Sequence, residues 1–338
     1  MKEMGVWRAL FASAAVISAA GCQNSLFDPV SSPIKNGSEI RQSLSEMSGL
    51  MAKSFGGKAI DAVSLVALSS GTNVGAYYYR CGEDTIFQSA SLSKVVSAYG
   101  ALKLVAEKKL ELDRPLVDYL KSAYFDSGSK GKRITLRMVL SHTSGLGNDL
   151  FFKDKTIHFE PGSRFRYSGM GFDLLTEVIA EVTGQSFDEY MRKEVLSPLG
   201  MKNSSFRMEI IFGIAMVSAA ASLTTTAEDQ SRFYKELLQT TLQEKSLAAQ
   251  MFSPQVRITD AYSWGLGIGL QTDLNGTAVW HWGNNSGYHK SLAFFYPQQG
   301  TGVVIMIKGS DGDAAYTRIA NHLIGGSYLG LDKVIMAR

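Results

Sequence analysis

Cysteine is scarce in this chain: Cys22 and Cys81 are the only two in 338 residues. Two thiols cannot build the disulfide framework of a small secreted domain. A single Cys22–Cys81 bridge stays open for an oxidising compartment, and is lost if Cys22 carries another group. There is no paired CxxC and no HExxH, and His142, His158, His281, His289 and His322 are scattered, so no zinc site is expected. An excess of one charge is missing too. Lys and Arg total 34 against 31 Asp and Glu, a formal net charge of +3. The basic cluster Lys130-Gly131-Lys132-Arg133 reads as a solvated turn, so nucleic acid is not an expected partner. Charged residues make up 19% and apolar residues 45%, a balance that buries a core and excludes global disorder. There is no internal repeat, and no G-x-S-x-G, which argues against an ordinary α/β-hydrolase. No apolar run reaches the length of about 20 residues that a bilayer span needs.

What is present begins with an address. Lys2 and Arg8 precede a small, mostly apolar stretch from Ala9 to Gly21, the pattern of a secretory signal peptide over residues 1–21. It ends Ala19-Ala20-Gly21-Cys22, which resembles the lipobox of bacterial lipoproteins. That resemblance implies cleavage before Cys22 and a lipid on its thiol. The protein would then be exported and held at a membrane, facing the periplasm or the cell exterior. Residues 22–38 are polar, contain Pro29 and Pro33, and read as a tether.

The body shows a helical pattern over 39–53, a hairpin from strand-like 63–68 and 74–80, and a long helix over 92–108. The middle is mostly helical by pattern. Phe172–Val182 is amphipathic and stopped by Gly184, and Thr226-Ala227-Glu228-Asp229 reads as a capping box. Ile210–Leu223 carries no charge and reads as a buried helix, with an apolar wall for an acyl chain as the sharper alternative. Strand signals return over 264–270, 278–281, 291–296 and 302–308, and a helix over 313–324 follows. Strands at both ends with helices between predict an α+β sheet domain from 39–95 and 260–338, with a mostly helical subdomain, 96–259, inserted.

Chemistry is carried first by Ser91-Leu92-Ser93-Lys94, an S-x-x-K. Ser32, Ser127 and Ser129 also have a Lys three residues on. Only Ser91 sits where strand-like sequence gives way to an apolar helix, so that Ser and Lys share one helix face. A helix N-terminus favours the negative charge of an alkoxide or oxyanion. A desolvated Lys has a lowered pKa and can take the serine proton. The blander reading is a Ser cap followed by a solvent-facing Lys.

Two further motifs tip the balance. Phe165-Arg166-Tyr167-Ser168-Gly169 follows Pro161-Gly162, and Trp280-His281-Trp282-Gly283-Asn284-Asn285 lies in the C-terminal strands. The order S-x-x-K, Tyr-Ser-x, His-x-Gly resembles the serine β-lactamase and penicillin-binding-protein superfamily. The nearest branches are class C β-lactamases, D-Ala-D-Ala carboxypeptidases and related carboxylesterases. The resemblance covers roughly residues 40–325, with support from Leu140–Leu146, Pro161–Leu175, Thr225–Asp229 and Trp264–Gly267. It implies a β-lactamase/transpeptidase-like fold: an antiparallel sheet flanked by helices, plus the inserted helical subdomain.

The resemblance also implies roles. Ser91 is the acylated nucleophile, and Lys94 and Tyr167 handle its proton, with the choice of base left open. The backbone N–H groups of Ser91 and Asn284 form the oxyanion hole. His281, Trp282 and Gly283 line the substrate, and His142 belongs to a structural loop. Gly169 stands where the β-lactamases and peptidases usually have Asn, and Trp282 where Thr or Ser is usual. Both departures weaken the case for D-Ala-D-Ala or β-lactam turnover. The expected protein is an exported serine hydrolase working through an acyl-Ser91 intermediate, an esterase or amidase on a small acyl substrate. The alternatives are a cell-wall carboxypeptidase or class C-like β-lactamase, and a non-catalytic binding or sensor module on the same fold. No metal or organic cofactor is implied.

Overall fold

The computed structural model describes residues 32–149, 154–211, 214–241, 243, 246–326 and 328. The expected signal peptide, Cys22 and the first part of the tether lie outside the described residues.

The chain enters through α1 (Gly37–Ser45) and α2 (Met47–Phe55). Asn36 caps α1: its side chain accepts from the Ser38 and Glu39 N–H groups, and the Glu39 carboxylate accepts from the Asn36 N–H. The expected single helix over 39–53 is therefore two helices that meet at Glu46. The expected tether is also shorter at its C-terminal end. Ser32 bridges to Gly326, and the Lys35 ammonium donates to Ser43 Oγ and the His322 carbonyl, each at 2.7 Å. Residues 32–36 are thus fastened to the body.

The hairpin β1 (Ala62–Ser69) and β2 (Thr72–Tyr79) leads through the short β3 (Phe87–Gln88) into α3 (Leu92–Ala106). Then come α4 (Leu136–Leu140), α5 (Gly169–Thr183) and α6 (Phe187–Met191). Gly184 closes α5 in the left-handed conformation, φ 67°, as its position after the last periodic residue predicts.

Next are β4 (Arg207–Ile211), β5 (Ile214–Val217) and β6 (Thr224–Thr225). The helix expected over 210–223 is absent. β4 and β5 pair antiparallel, and a turn over 218–222 follows. Four β-branched residues around Gly213 favour a hairpin over a helix there. In α7 (Ala227–Thr240), Thr226 caps as expected by accepting from the Asp229 N–H. The Asp229 carboxylate accepts instead from the Asn203 N–H at 2.7 Å and the Ser204 hydroxyl at 2.8 Å.

After α8 (Leu247–Met251) come β7 (Val256–Arg257), β8 (Tyr262–Trp264), β9 (Gly269–Asp273), β10 (Gly276–Asn285), β11 (His289–Tyr296) and β12 (Thr301–Lys308). The last helix is α9 (Gly312–Ile324). An eight-stranded sheet runs in the order β2-β1-β12-β11-β10-β9-β8-β7. All its pairings are antiparallel.

Both sheet faces are covered. Val63, Leu65, Val303, Ile305 and Ile307 pack with α1, α2 and α9 on one face. Their neighbours Val66, Val304 and Met306 pack on the other, with α3, α5 and α7. Layers of this kind bury alternate side chains of a strand on opposite sides, so central strands lose any polar face. The fold is α+β, an antiparallel sheet flanked by helices.

Candidate active site

The site is built where α3 begins. β3 pairs with β6, and the Ser89 N–H donates to the Leu223 carbonyl at 2.8 Å. Ala90 then turns the chain with φ 49°, a left-handed conformation that non-glycine residues rarely adopt. Ser91 follows as the first flank of α3. Its side chain makes no capping hydrogen bond, so the hydroxyl is free of the helix that it starts. The blander reading of a Ser cap does not hold.

One turn on, Lys94 is 1% exposed. Its Nζ donates to Ser91 Oγ at 3.1 Å and to the Ala220 carbonyl at 2.8 Å. It lies 5.0 Å from the centre of the Tyr167 ring and 5.7 Å from that of Phe172. Among the described residues no carboxylate pairs with it. Burial alone pushes its pKa down to about 7. A lysine enclosed in this way reaches its neutral, proton-accepting form near neutral pH.

Tyr167 is buried beside it. Its ring stacks on Trp282 with centroids 6.3 Å apart and lies 4.3 Å from His142. Its hydroxyl is buried beside the Ser91 hydroxyl. Burial raises its pKa, and the Ser91 hydroxyl opposes that rise in part. Tyr167 therefore stays protonated where Lys94 does not.

β10 closes the site. Gly283 lies flat on the turn before the nucleophile: a Cβ there would come within 2.5 Å of the Ser89 carbonyl oxygen. Ser291 of β11 donates its hydroxyl to that same carbonyl at 2.8 Å. The residues that follow this contact on the two segments are Ala90-Ser91 and Asn284. The Asn284 side chain is turned away and accepts from the Gly287 N–H at 2.9 Å. His281 is buried, with Nδ1 2.8 Å from the Trp282 carbonyl. Burial and the nearby Lys94 lower its pKa to about 3. Trp282, expected as a wall for substrate, is 9% exposed and spends its face on Tyr167 and the core around Phe165 and Trp264. Gly169 is buried at the first turn of α5, after Ser168, whose hydroxyl accepts from the Gly171 N–H.

The structure thus gathers Ser91, Lys94, Tyr167, His281 and Gly283 around one corner. It adds residues that the sequence reading left out. The turn Ala219-Ala220-Ala221 supplies carbonyls to the Ser97 hydroxyl, the Lys94 ammonium and the Asn285 amide. Its run of small residues is the signal that allows so close an approach. His142 belongs to a structural loop, as expected, yet its ring also packs on Tyr167. Gly267, with φ 84°, sits so near Ala98 of α3 that a side chain would collide with it. This glycine is a packing residue.

A Ser-x-x-Lys at the start of a core helix, backed by a buried Tyr and an antiparallel strand, defines the serine β-lactamase and penicillin-binding-protein class. The Beta-lactamase family model matches residues 47–325, and the chain belongs to that family. It is 25% identical over 269 residues to Protein flp of Staphylococcus aureus (strain NCTC 8325 / PS 47), covering 67% of this chain and 53% of that protein. The chain therefore spans about half the length of that curated relative. Among solved structures, a β-lactamase/D-alanine carboxypeptidase from Yersinia pestis superposes with TM-score 0.69 at 17% identity, covering 86% of this chain and 99% of that one. A D-stereospecific amidohydrolase from Streptomyces sp. gives TM-score 0.65 at 21% identity, covering 82% and 97%. These likenesses share the fold.

Proposed function

We propose that this chain is a serine hydrolase that transfers an acyl group to water through Ser91, with esters or amides of a small acyl group as substrates. The observation that carries the reading is the 3.1 Å contact between Ser91 Oγ and a buried, carboxylate-free Lys94. Neutral Lys94 takes the Ser91 proton as Oγ bonds to the substrate carbonyl carbon. The backbone N–H groups of Ser91 and Asn284 receive the developing oxyanion. Protonated Tyr167 is the group suited to protonate the leaving alkoxide or amine. The proton on Lys94 then passes to Tyr167; water attacks the acyl carbonyl as Lys94 takes its proton, and that proton goes to Ser91 Oγ as the acyl–Oγ bond breaks and the acid leaves. A binding module would have no use for a lysine held neutral against a serine.

Esters are the favoured substrates. Gly169 offers no amide to a peptide-like substrate, and an ester demands less of the leaving-group acid than an amide does. The measurement is kcat/KM for a p-nitrophenyl ester, a D-Ala-D-Ala peptide and nitrocefin on one preparation. The expected order puts the ester first, with Gly169→Asn shifting the ratio toward the peptide. Wild-type turnover of the peptide or nitrocefin at about 10⁴ M⁻¹s⁻¹ or more replaces this reading with the cell-wall or β-lactamase alternative. The cell-envelope location proposed next would favour that second reading. We also propose that Cys22 is the lipidated N-terminus of the mature protein. Cys22→Ala should then move the protein from the membrane to the soluble fraction. Recovery of an unmodified Cys22 by mass spectrometry would refute the anchor.

A further inference from the structure

The antiparallel order puts the β1–β2, β7–β8, β9–β10 and β11–β12 turns on one edge of the sheet. The Gly71 N–H donates to the Gly300 carbonyl at 2.9 Å, and the Gln299 amide to the Asn275 carbonyl at 2.8 Å, so three of these turns touch. The tether arrives at the same edge. Ser32 bridges to Gly326, and its carbonyl accepts from the Asn275 amide at 3.0 Å. This edge is poor in charge: residues 70–73, 274–276 and 297–300 carry none. The Asp273 carboxylate is turned back into the sheet, where it accepts from the Tyr296 hydroxyl and the Asn275 N–H, each at 2.7 Å. The β7–β8 turn, at the end of the sheet, pairs Arg257 with Asp260. Leu274 stands at the tip of the β9–β10 turn and is 94% exposed. The other edge carries charge and the site. Tyr288, in the β10–β11 turn, donates to Asp61 at 2.6 Å, and His289 pairs with Lys308. Gly283 stands about 24 Å up β10 from Gly276, at a strand's rise per residue.

We infer that the edge with Leu274 rests on the lipid bilayer that holds Cys22, with Leu274 in the headgroup layer, and that Ser91 stands toward the far edge and takes its acyl substrates from water. The inference rests on the lipid anchor proposed above and goes beyond it by giving the body an orientation. One exposed Leu is ordinary on a protein surface. This one shares an uncharged edge with the point where the tether arrives. A single lipid chain holds a protein to a membrane marginally, and a second contact makes the attachment firm. The tether also limits the alternatives. The ten residue steps from Cys22 to Ser32 span at most about 36 Å. To set the far edge on the membrane, they would have to run almost fully extended along a body as tall as β10, about 34 Å. That orientation would also press Asp61 and Lys308 toward lipid, at a cost in desolvation that the uncharged turns do not meet. No cation on those turns calls for an anionic headgroup, so a zwitterionic surface is enough.

The test places the mature protein, purified with its lipid, in phosphatidylcholine vesicles and adds one tryptophan at either edge, Leu274→Trp or Tyr288→Trp. Both positions are exposed, and the buried Trp264, Trp280 and Trp282 give a background common to the wild type and both variants. Above that background, the emission added by Leu274→Trp should shift to the blue and be mostly lost when the vesicles carry doxyl-labelled lipid. The emission added by Tyr288→Trp should do neither. Absence of quenching at 274, or equal quenching at both positions, overturns the inference. So does quenching at 274 that appears only with phosphatidylglycerol in the vesicles. A blue shift at 274 without lipid quenching, in copies that cross-link through this tip, gives the edge to a second copy and overturns it as well. Release of fatty acid from the vesicles by the wild type overturns the placement of Ser91. Protein that stays off the vesicles and shows an unmodified Cys22 by mass spectrometry removes the anchor reading and this inference with it.

Discussion

Ser91→Ala protein should fold as the wild type does and take up no fluorophosphonate, with hydrolysis down by at least about three orders of magnitude. The size of the loss follows from the chemistry, because the variant lacks the hydroxyl to which the acyl bond is made. The competing S-x-x-K segments show why the effect belongs to one serine. In the Ser129/Lys132 segment Ser129 spends its hydroxyl as an acceptor for the Gly131 N–H at 3.1 Å, and in the Ser127/Lys130 segment the exposed Lys130 faces the Glu160 carboxylate at 3.3 Å. Lys35 is bound to Ser43 and His322 while Ser32 donates to Gly326, so that pair does not meet. Only at Ser91 does the lysine reach the serine. Intact-mass analysis of labelled wild type and Ser91→Ala is the check. Full labelling of the variant, mapped to Ser127 or Ser129, would overturn the assignment.

Lys94→Met should cost about 10² to 10⁴ in kcat/KM, the range for removing a positioned general base. In the wild type, kcat/KM should rise with pH through about 7, where Lys94 loses its proton in the folded protein. The variant should lose that limb. The stability effect runs the other way. Lys94 has its pKa lowered on folding, from 10.5 to about 7. Below about pH 7 both folded and unfolded chains carry the proton, and the penalty of a buried charge is fully present. Between about 7 and 10.5 only the unfolded chain holds it, so the penalty fades as pH rises. Lys94→Met should therefore have a higher Tm than the wild type at pH 6, and the gain should shrink toward pH 10. A Tm that falls in the variant at every pH, or a wild-type rate flat from pH 5 to 9, would remove Lys94 from the role of base.

The strand expected over 264–270 is the end of β8, a bend over 265–268 and the start of β9, whereas β1 and β12 were legible as apolar runs bounded by turn residues. The same runs hid which side faces what, since both faces of β1 and β12 are covered. The 210–223 segment was misread for a related reason: an uncharged run fits a buried helix and a hairpin equally well until pairing decides. Ser91, Lys94 and Tyr167 announced themselves through motif order. His142 did not, because a histidine in a loop gives no sign of the ring that it packs on. The Ala220 carbonyl that receives Lys94 was invisible for a simpler reason: backbone acceptors leave no mark in a sequence.

The sheet described above has its oldest and newest strands side by side. Ala62 of β1 faces Lys308 of β12, so the centre of the sheet joins segments from opposite ends of the body. A growing chain can form the β1–β2 hairpin and α3 early, but it cannot close the sheet until β12 has been made. Pairings so distant in sequence make for slow folding, because loop-closure entropy is lost before the contacts that offset it are gained. The nucleophile turn, which leans on Gly283 and Ser291, must wait for the same event. Throughout synthesis the chain therefore carries Ser91 and Lys94 without an assembled site, and competence arrives late and all at once with the last strands.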